Sequence, residues 1–247
     1  MELDGALRVE RDGDAFAGVA PAWWGPSLFG GFIVGQAIHA AGQTVPAERR
    51  IQSLHAYFVQ PARSERELRH RIITERDGRT VSQRRLETVQ DGEAIFWMAC
   101  SYSAAAGDPV VEQPLDPDVA DPAPEAAEPA RGWDVVRVPP GTRAWFRLRG
   151  GLGEDPLLND AVLGFFSDLT GVGGNPIALP DVEDWISLDH AVWFHRAARA
   201  DGWLFYDVET VVAAPRRALI RGTMYGADRR PGLTVMQDAL LKISPTS

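Results

Sequence analysis

Gly30-Gly31-Phe32-Ile33-Val34-Gly35-Gln36-Ala37-Ile38-His39-Ala40-Ala41 is the stretch whose reading decides the fold. Phe32, Ile33, Val34, Ala37, Ile38, Ala40 and Ala41 leave no polar face, and a helix apolar on all sides is one buried on all sides. Gly35, Ala37 and Ala41 keep it slim. Working outward, alternating runs follow at 52–60, 67–75, 80–90 and 93–103, with Asp77-Gly78 and Asp91-Gly92 between them. Asp-Gly between alternating runs is the strongest short-range hairpin signal. The first half therefore reads as a slim buried helix wrapped by an antiparallel meander.

The same order recurs. Asp155-Pro156 is a good N-cap and first-turn pair, and Leu158, Ala161, Val162, Phe165, Phe166 and Leu169 form an i, i+3, i+4 stripe. Strands are predicted at 185–195, 203–212, 217–225 and 233–243. Ser53-Leu54-His55-Ala56-Tyr57-Phe58 in the first half is answered by Leu188-Asp189-His190-Ala191-Val192-Trp193-Phe194 in the second. A repeat of this size implies two fused copies of one unit. The expected class is α+β, a double hotdog of two tandem helix-plus-antiparallel-sheet units forming one continuous sheet. Its predicted boundaries are 1–103 for the N-terminal hotdog, 104–132 for a linker and 133–247 for the C-terminal hotdog. The linker is rich in Ala, Pro, Asp and Glu, a composition that buries little surface to offset its ordering entropy.

The 247 residues carry a formal net charge of -9, which argues against a duplex nucleic-acid partner. Met1-Glu2-Leu3-Asp4-Gly5 has neither a basic region nor an apolar run, so no secretory leader is expected. No uninterrupted apolar run approaches the roughly 20 residues of a membrane span. A cytoplasmic location without membrane insertion is the expectation. The single cysteine, Cys100, sits on the apolar side of a strand pattern with Phe96, Met98 and Tyr102 and is read as buried and inert. It also leaves no multi-cysteine metal site, and His55, His190 and His195 lack convincing metal spacing. No metal is expected. No Gly-x-Ser-x-Gly elbow is present, which disfavours a covalent serine mechanism.

Several residues break the pattern. Asp168 lies near the end of the second helix beside its apolar stripe, where the helix dipole and partial burial both disfavour its ionised form. A solvated last-turn carboxylate is the bland alternative. Gln237 interrupts the apolar face Leu233, Val235, Ala239, Leu241 and Ile243, so it needs polar partners or a bound water. Gly30-Gly31 opens the first helix, where free backbone N–H groups could hold an oxyanion; the glycines could equally serve only tight packing. His55 alternates with Ser53 and Tyr57 on one face of its strand and reads as structural rather than catalytic. Arg49, Arg50, Arg84, Arg85, Arg216 and Arg217 read mostly as solvated strand-edge charges.

Together the motifs resemble the acyl-CoA thioesterase II, or TesB-type, family of double-hotdog enzymes, over nearly the whole chain outside the linker. The resemblance is carried by Phe29-Gly30-Gly31 with Gly35-Gln36-Ala37, by Thr44-Val45-Pro46, by Ser53-Leu54-His55 with Pro61, and by Arg76-Asp77-Gly78 through Ser82 and Arg84-Arg85. In the second half it is carried by Phe166-Ser167-Asp168-Leu169, Leu188-Asp189-His190, Trp193-Phe194-His195-Arg196, Arg221-Gly222 and Val235-Met236-Gln237-Asp238. It implies a helix Asp, a strand hydroxyl and a last-strand Gln that bind and polarise the attacking water. Matched by motif, these are Asp168, Ser187 and Gln237. Ser187 stands where the family often has Thr, and the hydroxyl survives.

The implied activity is hydrolysis of a fatty or related acyl-CoA to free CoA and a carboxylic acid, with no cofactor, in a homodimer or higher homo-oligomer. Gly30, Gly31 and His55 are weaker candidates for the oxyanion and substrate. A hotdog enoyl- or hydroxyacyl-thioester hydratase and a non-catalytic acyl-CoA-binding protein are the alternatives. Gly171-Val172-Gly173-Gly174 departs from the bulkier apolar residues expected after the Asp, which bears on acyl-chain preference.

Overall fold

The all-apolar run forms helix α2 (Gly30–Gly42), and every residue from Gly31 to Ala41 is buried. The computed structural model describes residues 2–104, 107, 109–129, 131–139, 142–177, 179 and 182–243. Residue 1 of the predicted N-terminal hotdog, 105, 106, 108 and 130 of the predicted linker, and 140, 141, 178, 180, 181 and 244–247 of the predicted C-terminal hotdog lie outside the described residues.

The chain divides into two compact units, one of Met1–Gly107 with Leu152–Asp168, the other of Asp108–Gly151 with Leu169–Ser247. In the first, a short helix α1 (Leu3–Leu7) precedes β1 (Glu10–Asp12) and β2 (Ala15–Val19). After α2 come β3 (Arg50–Phe58), β4 (Glu67–Asp77), β5 (Val81–Gln90) and β6 (Glu93–Ser103). Every pairing is antiparallel, in the order β1-β2-β4-β5-β6-β3. At the β5–β6 turn Asp91 has φ 51 and Gly92 φ 89, the paired positive angles of a two-residue turn matched to strand twist.

Helix α3 (Pro156–Ser167) completes this unit. Asp155 caps it by accepting the Leu158 N–H at 3.0 Å, and Pro156 occupies its first turn. It runs antiparallel to α2, with backbones close enough that a methyl group on Gly31 would lie 2.7 Å from the Phe165 carbonyl oxygen and one on Gly35 2.8 Å from that of Ala161. The small residues that made α2 slim are thus the ones that let a second helix approach. By sequence α3 opens the second repeat; by packing it belongs with α2.

One polar side chain inside α2, Gln36, is accounted for by a network the pattern did not reveal. Gln36 donates to the Ala6 carbonyl at 2.7 Å, so its oxygen accepts from His70 Nε2 at 3.2 Å, and His70 Nδ1 faces Thr88 Oγ1 at 2.9 Å. Burial lowers the His70 pKa to about 3, which keeps the ring neutral for this arrangement.

Three of the arginines are not solvated strand-edge charges. Arg84 is 2% exposed and is bonded to Asp77, to Thr44 Oγ1 and to the Thr44 carbonyl, so it fastens the segment just past α2. Arg50 grips Asp160 of α3 through two nitrogens, and Arg49 bonds Ser82 and the Gly78 carbonyl. A guanidinium offers five donors in a fixed fork, which suits it to tying several acceptors together. Burial pushes the Asp160 carboxyl up, and Arg50 pulls against that shift. Cys100 is buried as expected, with its thiol pushed up to about 12.

The second unit holds β7 (Glu128–Pro129), β8 (Trp133–Val138), β9 (Arg143–Leu148), β10 (Val182–Ser187), β11 (Asp189–Phe194), β12 (Leu204–Ala214), β13 (Arg217–Tyr225) and β14 (Pro231–Ile243). Its order is β11-β14-β13-β12-β9-β8-β7, all antiparallel, with β10 also on β14. The stretch read as a linker is anchored in this unit. Leu115 and Val119 are buried with Trp145 and Phe205, the Trp145 indole donates to the Ala120 carbonyl, and Arg229 bonds Asp121 and the Asp116 and Val119 carbonyls. Two well-placed apolar residues and one arginine serve where composition promised nothing. Ile243, expected on the interior face of β14, is exposed. Among the described residues no helix is long and apolar enough to cross a membrane.

Candidate active site

In the first unit, Asp168 is the C-cap residue of α3, its N–H turned back to the Phe165 and Phe166 carbonyls, and it is only 5% exposed. It is therefore not a solvated last-turn carboxylate. The antiparallel packing brings it against the start of α2. A methyl group on Gly30 would lie 2.7 Å from Asp168 Oδ2 and 2.7 Å from the Phe58 ring. Glycine at this position is what permits a carboxylate, an aromatic ring and a helix N-terminus to meet. The N-cap of α2 is Phe29, whose side chain has no acceptor and makes no capping hydrogen bond to the first backbone N–H groups of the helix. The carboxylate thus lies between the negative end of one helix and the positive end of another.

In the second unit, Gln237 is fully buried and alternates with buried Val235, Ala239 and Leu241, as its sequence pattern required. Its Nε2 donates to Ser187 Oγ at 2.5 Å. The hydroxyl keeps its own proton to donate elsewhere.

A strand break places Ser187. The predicted strand 185–195 is interrupted at Leu188, giving β10 and β11. Ser187 pairs with Ala239 and Ala191 with Met236, so four steps along β10–β11 match three along β14. One extra residue is a β-bulge, and bulges re-aim side chains beside them. The Leu188 N–H donates to the Asp238 carbonyl at 2.8 Å, and the Asp189 carboxylate accepts the Asp238 N–H at 2.8 Å, which fastens the bulge to β14. Through it both Ser187 and His190 turn toward the buried side of the sheet. His190 has no exposed surface, and burial lowers its pKa to about 3.

His55 lies on the exposed face of β3 with Tyr57, opposite buried Leu54 and Ala56. Asp168 and Gln237 were flagged by pattern and Ser187 by resemblance. Phe58 and Asp189 were missed. No local signal marked Asp189, because its carboxylate acts on the Asp238 N–H, a partner distant in sequence that only the folded sheet brings beside it. Among the described residues, no three His, Cys, Asp or Glu side chains form a group able to hold a metal.

The family described as Acyl-CoA thioesterase N-terminal domain matches residues 20–104, and that described as Acyl-CoA thioesterase matches residues 128–240. Acyl-coenzyme A thioesterase 8 of Homo sapiens is 29% identical over 281 residues, covering 95% of this chain and 86% of that protein. A conserved protein with a hot dog fold from Alicyclobacillus acidocaldarius is 17% identical with a TM-score of 0.78, covers 98% of both chains and bears on the fold alone. The crystal structure of acyl-CoA thioesterase II TesB2 from Mycobacterium marinum is 32% identical, covers 99% of this chain and 98% of its own, and superposes with a TM-score of 0.84. With both halves matched and that identity held over nearly its full length, this chain belongs to the acyl-CoA thioesterase II family.

Proposed function

We propose that the chain hydrolyses a fatty or related acyl-CoA to free CoA and a carboxylic acid, using a water bound by Asp168, Ser187 and Gln237. Asp168 takes a proton from the water as its oxygen attacks the thioester carbonyl, and Ser187 and Gln237 orient that water. Backbone N–H groups of Gly30 and Gly31 hold the developing oxyanion. Collapse of the tetrahedral intermediate expels the CoA thiolate, which takes the proton from Asp168.

The observation that carries this reading is the Gln237–Ser187 hydrogen bond on a buried strand face, set up by a bulge. Asp168, buried against Gly30 at the start of α2, supports it. His55, on the exposed face of β3, is given no step in this mechanism. Family membership favours hydrolysis over the hydratase and binding-only alternatives. The proposal includes a homodimer or higher homo-oligomer, supported by the exposed Tyr57–Trp97 pair on the first sheet, and a cytoplasmic location.

Asp168→Asn keeps the shape of the side chain and removes the base. It is expected to lower kcat for release of free thiol from hexanoyl-CoA by about 1,000-fold with the thermal unfolding midpoint little changed. Near-normal hydrolysis by this variant would overturn the assignment.

A further inference from the structure

The aromatic residues beside Asp168 take no part in activating water, yet they are organised. Ala22–Trp24 forms a single 3-10 turn preceded by Pro21. The chain after it is fastened by the Leu28 N–H to the Ala62 carbonyl at 2.9 Å and the Ser64 N–H to the Pro26 carbonyl at 3.3 Å. Trp24 stacks on Phe29 with centroids 4.6 Å apart and meets Phe165 edge-on at 6.2 Å. Phe29 meets Phe165 edge-on at 5.3 Å, and Trp23 meets Phe32 at 5.6 Å.

This cluster has a closed floor and an open rim. Phe32 and Phe165 have no exposed surface, whereas Trp24, Phe29 and Phe58 are half-buried. The rim is tied to the site by covalent neighbours and by contact. Phe29 precedes Gly30, Phe165 supplies a carbonyl to the Asp168 N–H, and the Phe58 ring and the Asp168 carboxylate converge on the same face of Gly30. Half-exposed aromatic surface is stabilised when an apolar ligand covers it. A ligand that places a carbonyl carbon within reach of a water on Asp168 brings its acyl group with it.

We propose that Trp24, Phe29 and Phe58 form the surface on which the acyl group of the thioester packs, and that Trp24 determines the preference for larger apolar acyl groups over acetyl. The inference rests on the thioesterase reading and adds a substrate class to it. Rings with two side-chain torsions lose little freedom on contact and offer both faces and edges, so aryl and medium-length alkyl acyl groups are the class that gains most. Each methylene withdrawn from water against the rim raises kcat/KM roughly fourfold.

The test compares kcat/KM for acetyl-CoA, hexanoyl-CoA and phenylacetyl-CoA in the full chain and in Trp24→Ala, Trp24→Phe and Trp97→Ala, the last on the outer face of β6. Trp24→Ala is expected to lose roughly tenfold more for hexanoyl-CoA and phenylacetyl-CoA than for acetyl-CoA, with Trp24→Phe recovering most of it. An equal loss on all three substrates, or the same discrimination in Trp97→Ala, overturns the proposal. Calorimetric titration of the Asp168→Asn chain with hexanoyl-CoA and with CoA separates this from the parent reading. If the full chain releases no thiol, the hydrolase reading falls, and the rim still stands or falls on whether Trp24→Ala in that background erases the preference for hexanoyl-CoA over CoA. Hexanoyl-CoA binding no tighter than CoA alone overturns the rim outright.

Discussion

Strand β3 and the β10–β11 pair carry answering sequences and put them to different use. In β3 the echoed stretch alternates without interruption, its one irregularity falling earlier, between Ile51 and Ser53, so Leu54 and Ala56 are buried and His55 and Tyr57 are exposed. In β10–β11 the extra residue at Leu188 turns Ser187 and His190 to one side. The two histidines that align in sequence therefore end on opposite faces, one exposed and one sealed. A repeat copies strand type and order, and a single inserted residue decides which side chains reach the interior. Beside that insertion stands Ser187, one of the groups proposed to hold water, in hydrogen-bond contact with Gln237 of β14.

The comparison breaks most sharply at Gln237. Gln237→Leu keeps volume in the buried face and removes the amide that meets Ser187, and kcat is expected to fall by about 100-fold while the fold persists. A fall under threefold would mean that the bulge positions nothing chemical and the two strands differ only in shape.

A smaller effect belongs to His190. Its folded pKa, about 3, lies below the ordinary 6.5, so the unfolded chain takes up a proton that the folded chain refuses. Its contribution to stability is complete above pH 6.5 and is lost as pH falls toward 3, at about 1.4 kcal/mol per pH unit. His70, with the same shift, adds a parallel slope. Denaturant titrations between pH 7 and 4 should show the slope reduced by one histidine's share in His190→Leu. An unchanged slope would place a protonated His190 inside the fold and undo the contrast with β3.

The smallest effect sharpens the role of the bulge itself. Asp189→Ala removes the acceptor of the Asp238 N–H and should cost about 1–2 kcal/mol of stability, with a several-fold loss of kcat as Ser187 loses its fixed position. Loss of stability with kcat intact would make the clip structural only.

Much of this was legible in the chain. The buried helix followed from an apolar run with no polar face, the hairpins from Asp-Gly, and the start of α3 from Asp155-Pro156. These are local signals, fixed by residues within one turn of each other. Asp168 and Gln237 were legible because each breaks a period. What the chain concealed depends on distant partners. β1, β2, β8 and β9 are three to six residues long, too short for alternation to stand out. Leu115 and Val119 look isolated until Trp145 and Phe205 are folded beneath them. Phe58 and Asp168 are far apart in sequence, and only the fold brings both against Gly30.

The grouping of α3 with the first sheet has a consequence for how the protein is made. The first unit is discontinuous, and its last piece, Leu152–Asp168, follows a long excursion into the second. During synthesis the completed first sheet and α2 therefore wait on the ribosome with the helix face around Gly31 and Gly35 uncovered. Closure comes only when α3 emerges, and contacts so distant in sequence form slowly. The final residue of that piece is Asp168, so a chain truncated anywhere before it has neither a finished first unit nor the proposed base, and unfinished molecules cannot hydrolyse thioesters by this route.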